Sequence, residues 1–329
     1  MKIGVIGLGS MGKRRIRLLQ QIDSQYDLTG IDTRADRRIE AEETFGIKTT
    51  DSLKKAVAEN QIEALVVSTS PLSHAKIIHE ALSCGCHVFT ELNLVNDLYE
   101  ENMQLAEEKG LVLFLSSTMM FREETAYIAE EVRKSAHPVN YIYHIGQFLP
   151  TWHIWESYKD FFVGDRRTNG CREVFAIELP WLTDVFGPVE DFQVVKGRMT
   201  DLEIDYPDHY ELLIRHKNGS VGSLNVNVVS QYAVRNLEIY GQSCYIRWEG
   251  TPDSLRKYDP EAGKMECIQL YSQTESINEQ NRSIIEDAYR KELEEFTGVI
   301  GGTAEYRYSF AKDQEVLRLI DRIEGDFKS

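Results

Sequence analysis

A chain of 329 residues exceeds one ordinary hydrophobic core, so its length predicts two domains. The 42% hydrophobic and 27% charged residues are typical of a soluble globular protein, and no apolar run reaches bilayer-spanning length. The net charge of −16 repels phosphate backbones, which argues against a nucleic-acid partner.

The cysteines and the opening residues both favour a cytoplasmic location. Five scattered cysteines, odd in number, do not form a disulfide framework. They also lack the paired spacing of zinc ligands, so we predict no metal site. The first residues show no basic stretch followed by an apolar one, from which we expect no secretory signal and no membrane association.

Residues 1–121 alternate apolar runs with helical patterns, which predicts an α/β domain with a parallel, doubly wound sheet. The predicted strands are Ile3–Ile6, Leu28–Ile31, Ala64–Val67, His87–Thr90 and Val112–Leu115. The predicted helices are Met11–Ile22, Ala35–Phe45, Leu53–Glu59, Leu72–Leu82 and Leu98–Lys109. A capping box from Asp97 to Glu100 is predicted to open the last helix.

Residues 122–329 have a different pattern, which predicts an α+β domain with an open, mainly antiparallel sheet. Alternating apolar and polar residues run from Val189 to about Leu270, and Asn218-Gly219 is a hairpin signal. The other predicted elements are helix Glu124–Lys134, strand Asn140–Phe148, an irregular segment over 149–170 rich in aromatic and charged residues, and helices Arg172–Phe186, Ile284–Ile300 and Lys312–Ile323.

The motif that points to a ligand is Gly7-Leu8-Gly9-Ser10-Met11-Gly12, between a predicted strand and a predicted helix. In the dinucleotide-binding fingerprint the first glycine permits a tight turn, the second admits the pyrophosphate and the third lets helix and strand pack closely. The helix N-terminus then offers free N–H groups to the phosphates. This context predicts a dinucleotide site.

Asp32 lies twenty positions after Gly12, at the end of the second predicted strand. A carboxylate there accepts hydrogen bonds from ribose hydroxyls and repels a 2′-phosphate, so we predict NAD, with NADP the weaker ligand. Arg34, Arg37 and Arg38 follow closely. They either soften that repulsion or form a solvated helix face.

Further segments resemble the glucose–fructose oxidoreductase, inositol dehydrogenase and MocA family. These are Ser68–His74, the run from Gly85 to Asn93, and the pattern from Ser309 through Asp313 to Ile323. The resemblance implies a nicotinamide-dependent oxidoreductase acting on a sugar, cyclitol or related polyol. With the fingerprint, it predicts these cofactor residues: Gly7, Gly9, Ser10, Met11, Gly12, Asp32, Arg37, Ser68, Thr69, Ser70, His74 and Glu91.

The chain departs from that family where the chemistry is expected. The family's catalytic lysine falls on Leu92 and the following proline on Asn93. Its later Asp-x-x-x-His pair falls near Glu173 and Ile177, so a carboxylate is retained and the imidazole is not. Leucine cannot donate a proton, so the proton-transfer groups are either lost or replaced by others.

The replacement candidates lie in and after the irregular segment. They are His153, Arg172, Glu173 and Glu178. His153 is the first choice, because it is titratable and lies between Trp152 and Trp155, which suit a sugar. Arg172 is a candidate clamp for a substrate carboxylate or phosphate.

The leading hypothesis is an NAD(P)-dependent oxidoreductase acting on a sugar, amino sugar or nucleotide-sugar. Two alternatives remain open: a redox-neutral enzyme with tightly bound NAD, and a non-catalytic NAD-binding regulator. The family resemblance also implies that no helix layer covers one face of the open, mainly antiparallel sheet. A bare apolar face is a typical interaction surface, so we expect a homodimer or homotetramer built on the second domain.

Overall fold

The computed structural model describes residues 1–152, 156–271 and 286–325, which form two units. The first contains Met1–Thr118 and Ala288–Leu317. The second contains the described residues of Met119–Asp287 and Arg318–Ser329. Among all these residues, the helices are too short or too polar to cross a membrane.

The first unit is built on a six-stranded parallel sheet in the order β3-β2-β1-β4-β5-β6. Its strands are β1 Lys2–Ile6, β2 Asp27–Ile31, β3 Lys48–Thr50, β4 Ala64–Val67, β5 His87–Thr90 and β6 Leu113–Leu115. This is the strand order of dinucleotide-binding Rossmann sheets. The central strand β4 is buried at every residue, as its continuous apolar run predicts.

Helices connect the strands of this sheet. They are α1 Ser10–Ile22, α2 Ala35–Phe45, α3 Leu53–Asn60, α4 Pro71–Ser83 and α5 Tyr99–Lys109. Pro71 begins α4, where its fixed φ suits a first helical position and its missing N–H costs nothing.

Two local predictions for this unit are wrong. The sequence pattern missed β3, which is an edge strand of three residues without an apolar run. The predicted capping box does not form, because α5 begins at Tyr99 and Leu98 is its N-cap. Leu98 has a φ of 54°, in the left-handed region, so Asp97 stands one residue too early to cap the helix.

Residues 288–317, which the sequence placed in the second domain, pack in the first unit instead. They include most of α8 Glu286–Ile300 and the first half of α9 Phe310–Glu324. Phe296 on α8 contacts Phe89 and Phe114 at ring-centroid distances of 5.6 and 5.8 Å. An apolar surface at the end of the parallel sheet is thereby covered by a distant part of the chain.

The second unit is built on an eight-stranded sheet in the order β14-β13-β12-β11-β7-β10-β9-β8. Its strands are β7 Asn140–Gly146, β8 Val189–Gly197, β9 His209–His216, β10 Val221–Asn227, β11 Val234–Tyr240, β12 Tyr245–Trp248, β13 Arg256–Asp259 and β14 Lys264–Cys267. Only β7 and β10, among the described strands of this sheet, pair in parallel. The expected hairpin at Asn218-Gly219 joins β9 to β10, and β7 ends two residues before the predicted Phe148.

Helix α6, Glu123–Lys134, packs against α7, Gly170–Phe186, and α7 covers one face of this sheet. Tyr141 on β7 stacks on Phe186 of α7 at 4.2 Å between ring centroids. Its ring lies over Gly222 of β10, where a Cβ would approach Tyr141 Cζ to 2.0 Å. The glycine therefore provides the space that the buried aromatic ring fills.

The other face of the sheet has no helix layer among the described residues. Ile142 on β7 and Leu213 on β9 are 48% and 57% exposed there. Both pair with Ser223 of β10, so the two side chains flank one strand in the middle of the sheet. This exposed row alternates along each strand with the buried one, as the sequence pattern predicts.

Candidate functional site: the dinucleotide turn and helix α7

The glycine-rich turn follows β1 and leads into α1. Gly7 has a φ of +89°, and a Cβ there would lie 2.5 Å from the carbonyl oxygen of Ser68. A Cβ on Gly12 would lie 1.9 Å from the carbonyl oxygen of Gly7. At Gly9 the nearest such neighbour is Arg37 Nη1, at 3.8 Å. The fold therefore requires Gly7 and Gly12, whereas Gly9 faces open space of the kind that a pyrophosphate occupies.

The N-terminus of α1 adds the second requirement of a phosphate site. Gly9 is the N-cap and no side chain caps the helix there. Ser10 is exposed and Met11 is half-buried, so the first turn is accessible. Free N–H groups and the positive end of the helix dipole stabilise an anion at such a position.

Asp32 directly follows β2, and its carboxylate contacts the glycine-rich turn. Its Oδ2 accepts a hydrogen bond from Leu8 N at 2.8 Å, and Oδ1 accepts one from Arg34 N at 2.9 Å. The backbone thus fixes the carboxylate, which retains lone pairs for ribose hydroxyls. Arg37 Nη1 lies 3.5 Å from Oδ2. These residues fit NAD: a fixed carboxylate for the ribose beside an open helix N-terminus for the phosphates.

The three arginines after Asp32 have different partners. Arg34 pairs with Asp36 on the surface, and Arg38 Nη1 donates to the carbonyl oxygens of Asp32 and Thr33. Only Arg37, of these three, has its guanidinium beside the Asp32 carboxylate. It is therefore the arginine that bears on the choice between NAD and NADP.

The loop after β4 carries the next predicted cofactor residues. Ser68 and Thr69 are half-buried, and Ser70 is exposed. Thr69 Oγ1 lies 2.7 Å from Ser73 Oγ. His74 is 2% exposed, and both of its ring nitrogens have partners inside the protein. It therefore supports this loop and does not present a free nitrogen to a ligand.

Glu91, another predicted cofactor residue, is held in a buried ion pair. Arg15 Nε donates to its Oε1 at 2.7 Å, and Arg15 Nη2 donates to Glu292 Oε2 of α8 at 2.8 Å. Burial lowers the pKa of Arg15, but the two carboxylates more than offset this and raise it above its ordinary value. Ser116 Oγ donates to Glu292 Oε1 at 2.9 Å. Glu91 is therefore fixed by Arg15 at the end of β5.

Sequence reasoning missed Arg15, although a signal for it exists. Arg15 follows Gly12 by three residues and precedes Leu19 by four, so all three share the buried face of α1. A cation on an apolar helix face requires an anionic partner, because an unpaired buried charge is costly. The partners come from positions 91 and 292, which no local pattern connects.

The family's catalytic positions fall on two elements. Leu92, at the lysine position, is half-buried beside Glu91. Glu173 and Ile177 are one turn apart on α7, and both are half-buried on a mostly buried helix. Glu173 Oε2 is sealed from solvent and has no hydrogen-bond partner. Burial raises the pKa of Glu173 to about 7, so the carboxyl group titrates near neutral pH.

Glu178 points the other way from Glu173, as their spacing on one helix predicts. Its Oε2 accepts from Tyr143 Oη at 2.6 Å and from Trp181 Nε1 at 2.7 Å. Its Oε1 accepts two bonds from the Arg235 guanidinium, at 2.6 and 3.0 Å. Both oxygens of this fully buried carboxylate are occupied, so Glu178 joins α7 to the sheet.

Arg172 also serves the packing of the second unit. Its guanidinium donates to Asp321 Oδ1 at 2.7 Å and pairs with Glu324, both on α9. The Asn169 side chain caps α7 by accepting from Arg172 N at 2.8 Å. The first catalytic candidate of the sequence, His153, lies outside the described residues.

Within the described ranges, no group of three or more His, Cys, Asp or Glu residues is arranged to hold a metal ion. Two features of the described residues remain as candidates for function. They are the dinucleotide turn of the first unit and the carboxyl group of Glu173 in the second.

Comparison with known proteins agrees with the geometry of the turn. Residues 1–117 match the model of an oxidoreductase family with an NAD-binding Rossmann fold. Over this third of the chain the protein is similar to the Gfo/Idh/MocA family. The family resemblance and the NAD assignment predicted from the sequence are both confirmed.

Relatives in the family include a dehydrogenase from Sphingobium sp. that acts, by its name, on 4-carboxy-2-hydroxymuconate-6-semialdehyde. It is 25% identical over 135 residues, covering 40% of this chain and 43% of that enzyme. This chain therefore matches less than half the length of that relative. Inositol 2-dehydrogenase 3 from Saccharopolyspora erythraea is 23% identical over 314 residues, covering 92% of this chain and 87% of that one.

Among solved structures, the chain is similar to the WlbA dehydrogenase from Bordetella pertussis in complex with NADH and UDP-GlcNAcA. The TM-score is 0.78 at 16% sequence identity, covering 98% of this chain and 94% of that chain. At this identity the likeness shows the fold. It confirms the predicted class, a parallel Rossmann sheet followed by an open, mainly antiparallel one.

Proposed function

We propose that this protein is an NAD-dependent oxidoreductase that transfers a hydride between nicotinamide and a hydroxyl group of a sugar, amino sugar or nucleotide-sugar. The observation that carries the proposal is the open space at Gly9 beside the fixed carboxylate of Asp32. The carbohydrate class is supported by the inositol enzyme and by the UDP-sugar complex among the similar proteins.

Oxidation of an alcohol also requires a group that accepts the hydroxyl proton. Bound NAD would accept the hydride. We assign the proton to Glu173, because its Oε2 is sealed from solvent without a hydrogen-bond partner and its pKa is about 7. A base whose pKa lies near the working pH combines a deprotonated resting state with good proton affinity. Leu92 and Ile177 have no group that can do this.

The assignment is tested with the variant Glu173→Gln in turnover assays against a library of polyols and nucleotide-sugars with NAD. We expect kcat to fall roughly a hundredfold or more, the scale of one acid–base group, with NAD affinity unchanged. Glu190→Gln, an exposed carboxylate on β8, is the matched control and should retain full activity. His153→Ala is measured alongside, as the other candidate base. Loss of turnover in the His153 variant only would remove Glu173 from the mechanism.

A second function is favoured by the apolar residues at Leu92 and Ile177. These are the positions at which the resembled family has its proton-transfer groups. Without those groups, the protein would either hold NAD tightly and catalyse a redox-neutral reaction, or bind NAD as a regulator that catalyses no reaction. Cofactor accounting separates the three cases. Net reduction of free NAD supports the oxidoreductase, and product without net reduction supports the redox-neutral enzyme. Saturable NAD binding with no product supports the regulator.

A further inference from the structure

A chain of hydrogen bonds crosses the interior of the first unit from the loop after β4 to α9. His74 Nε2 lies 2.9 Å from the carbonyl oxygen of Thr69, and His74 Nδ1 lies 2.8 Å from Asn93 Oδ1. The Asn93 amide nitrogen is 2.8 Å from the Tyr99 hydroxyl, which in turn contacts Asp313 Oδ2. The four side chains are each at most 3% exposed.

The chain is closed at both ends. Thr69 O is a carbonyl and can only accept. At the other end, Tyr308 Oη donates to Asp313 Oδ1 at 3.0 Å. The Thr90 hydroxyl, 3.3 Å from His74 Nδ1, is 3.1 Å from the carbonyl oxygen of Glu91 and donates there. All of these side chains are buried from bulk solvent.

Counting hydrogens shows that one is missing if His74 is neutral and Asp313 is ionised. Four contacts join Thr69 O to the Asp313 carboxyl group, and each needs one hydrogen. A neutral imidazole supplies one, the Asn93 amide one and the Tyr99 hydroxyl one. The fourth must be an additional proton, carried either by His74 as an imidazolium or by Asp313 as a carboxylic acid.

The surroundings favour the carboxylic acid. Burial lowers the pKa of His74, and its two hydrogen bonds oppose this only in part. Burial raises the pKa of Asp313 to about 7, against the lowering by Tyr99 and Tyr308. The charged groups that act on the chain are both anionic: Glu91, itself paired with Arg15, acts on His74, and Glu315 acts on Tyr308. Neither of these anionic groups favours the ionised form of Asp313.

A neutral arrangement then satisfies every contact. Asp313 donates to the Tyr99 hydroxyl, Tyr99 donates to the Asn93 carbonyl, and the amide nitrogen of Asn93 donates to His74 Nδ1. This requires the two ends of the Asn93 amide to exchange places, which costs no space because they are nearly isosteric. His74 then carries its one hydrogen on Nε2 and donates it to Thr69 O.

We propose that Asp313 keeps its carboxyl proton at neutral pH, and that this proton completes the chain which fixes the loop after β4 for NAD binding. Asp313 is thus a positioning residue, acting through Tyr99, Asn93 and His74 on the carbonyl of Thr69. The link to NAD rests on the proposed function, because Ser68, Thr69 and Ser70 are predicted cofactor residues. Asn93, in the middle of the chain, stands where the resembled family has a proline.

The protonation state is tested directly by nitrogen NMR of the full-length protein labelled with ¹⁵N-histidine. We expect His74 to be a neutral imidazole with its hydrogen on Nε2 at pH 7, both in the wild type and in Asp313→Asn. The asparagine amide replaces the carboxylic acid as donor to Tyr99 and acceptor from Tyr308. An imidazolium signal from His74, or a hydrogen on Nδ1 in place of Nε2, overturns the proposal. This measurement needs no cofactor, so it stands even if NAD does not bind.

The functional consequence is tested by NAD titration of the same proteins at pH 6 and pH 9. At pH 9 the loss of the Asp313 proton removes one hydrogen from the chain. The affinity of the wild type for NAD should therefore be roughly three- to tenfold weaker at pH 9 than at pH 6, the scale of one hydrogen bond. Asp313→Asn should show no such weakening. Glu107→Gln, which changes an exposed carboxylate on α5 of the same unit, should behave as the wild type. Equal pH dependence in Asp313→Asn and the wild type overturns the link to the cofactor loop.

Discussion

At Gly9 a Cβ would lie 3.8 Å from its nearest neighbour, whereas at Gly12 it would lie 1.9 Å from the Gly7 carbonyl oxygen. Substitution therefore separates a binding role from a folding role. Gly9→Val should keep the melting temperature of the wild type and abolish NAD binding, because the side chain fills the pyrophosphate space. Gly12→Ala should destabilise the first unit. Calorimetric NAD titration and thermal unfolding measure the two effects, and wild-type NAD affinity in Gly9→Val would contradict the site.

Asp32 governs the second prediction at this scale. A cofactor 2′-phosphate beside this carboxylate costs about 1–3 kcal/mol, so NAD should bind roughly 5- to 150-fold more tightly than NADP. Asp32→Ala should remove the preference, since Arg37 remains beside the site. Asp36→Ala removes an exposed carboxylate paired with Arg34 and should leave the preference intact. Equal binding of both cofactors by the wild type would show that Arg37 offsets the effect of Asp32 on the choice between NAD and NADP.

Some residues of the site were predictable from the sequence and others were not. The glycine turn and Asp32 form a local motif with fixed spacing, so their geometry is predictable. Arg15, Glu91 and Glu292 are far apart in sequence, and only the fold brings their charges together. The same holds for Glu178, whose partner Arg235 lies 57 positions away. A charged residue on a buried helix face predicts a partner but does not identify it.

Among the elements, α7 carries two carboxyl groups with opposite effects on stability. Glu178 is paired with Arg235, so Glu178→Gln leaves a buried guanidinium without its counter-charge. We expect a loss of about 3 kcal/mol or more in the free energy of unfolding. Chemical denaturation at pH 7 measures it. A loss below about 1 kcal/mol would mean that the ion pair contributes little beyond its hydrogen-bonded neighbours.

Substitution of Glu173 should raise the free energy of unfolding, in contrast to substitution of Glu178. Burial raises its pKa from 4.5 to about 7, so between these values the folded protein binds a proton that the unfolded chain has released. The free energy of unfolding should therefore fall as the pH rises through this window and then level off. Glu173→Gln should remove this contribution, about 2–4 kcal/mol, and be more stable than the wild type at pH 8. Denaturation curves at pH 5 and pH 8 test it, and parallel pH dependence in both proteins would contradict a buried, unpaired carboxyl group.

The elements were predictable where their patterns are long. The helices of the first unit and five of its six strands fall within a residue or two of the sequence prediction, because buried parallel strands are continuous apolar runs. Short or edge elements were not: β3 has three residues, and the start of α5 depends on the left-handed conformation of Leu98. Local propensity carries no signal for a leucine with positive φ, since tertiary packing imposes it.

For the whole molecule, the bare face of the eight-stranded sheet predicts association. Ile142 and Leu213 are about half exposed in its middle, and an exposed apolar patch on a sheet is a typical interaction surface. We propose a homodimer or homotetramer built on this face. Leu213→Glu should shift the protein towards monomer in light scattering at micromolar concentration. Ile39→Glu, at an equally exposed position on α2, should not. A monomeric wild type would contradict the proposal.

The first unit is complete only when residues 288–317 have joined residues 1–118. During synthesis, the parallel sheet is complete once residue 118 has emerged, yet Arg15 still lacks Glu292, and Phe89 lacks Phe296. At ~5–20 residues per second, the ribosome needs about ten to forty seconds to reach the end of the missing segment. Throughout that interval the nascent nucleotide-binding half has Arg15 paired with Glu91 alone and an uncovered aromatic surface at Phe89, which is the kind of surface that chaperones bind.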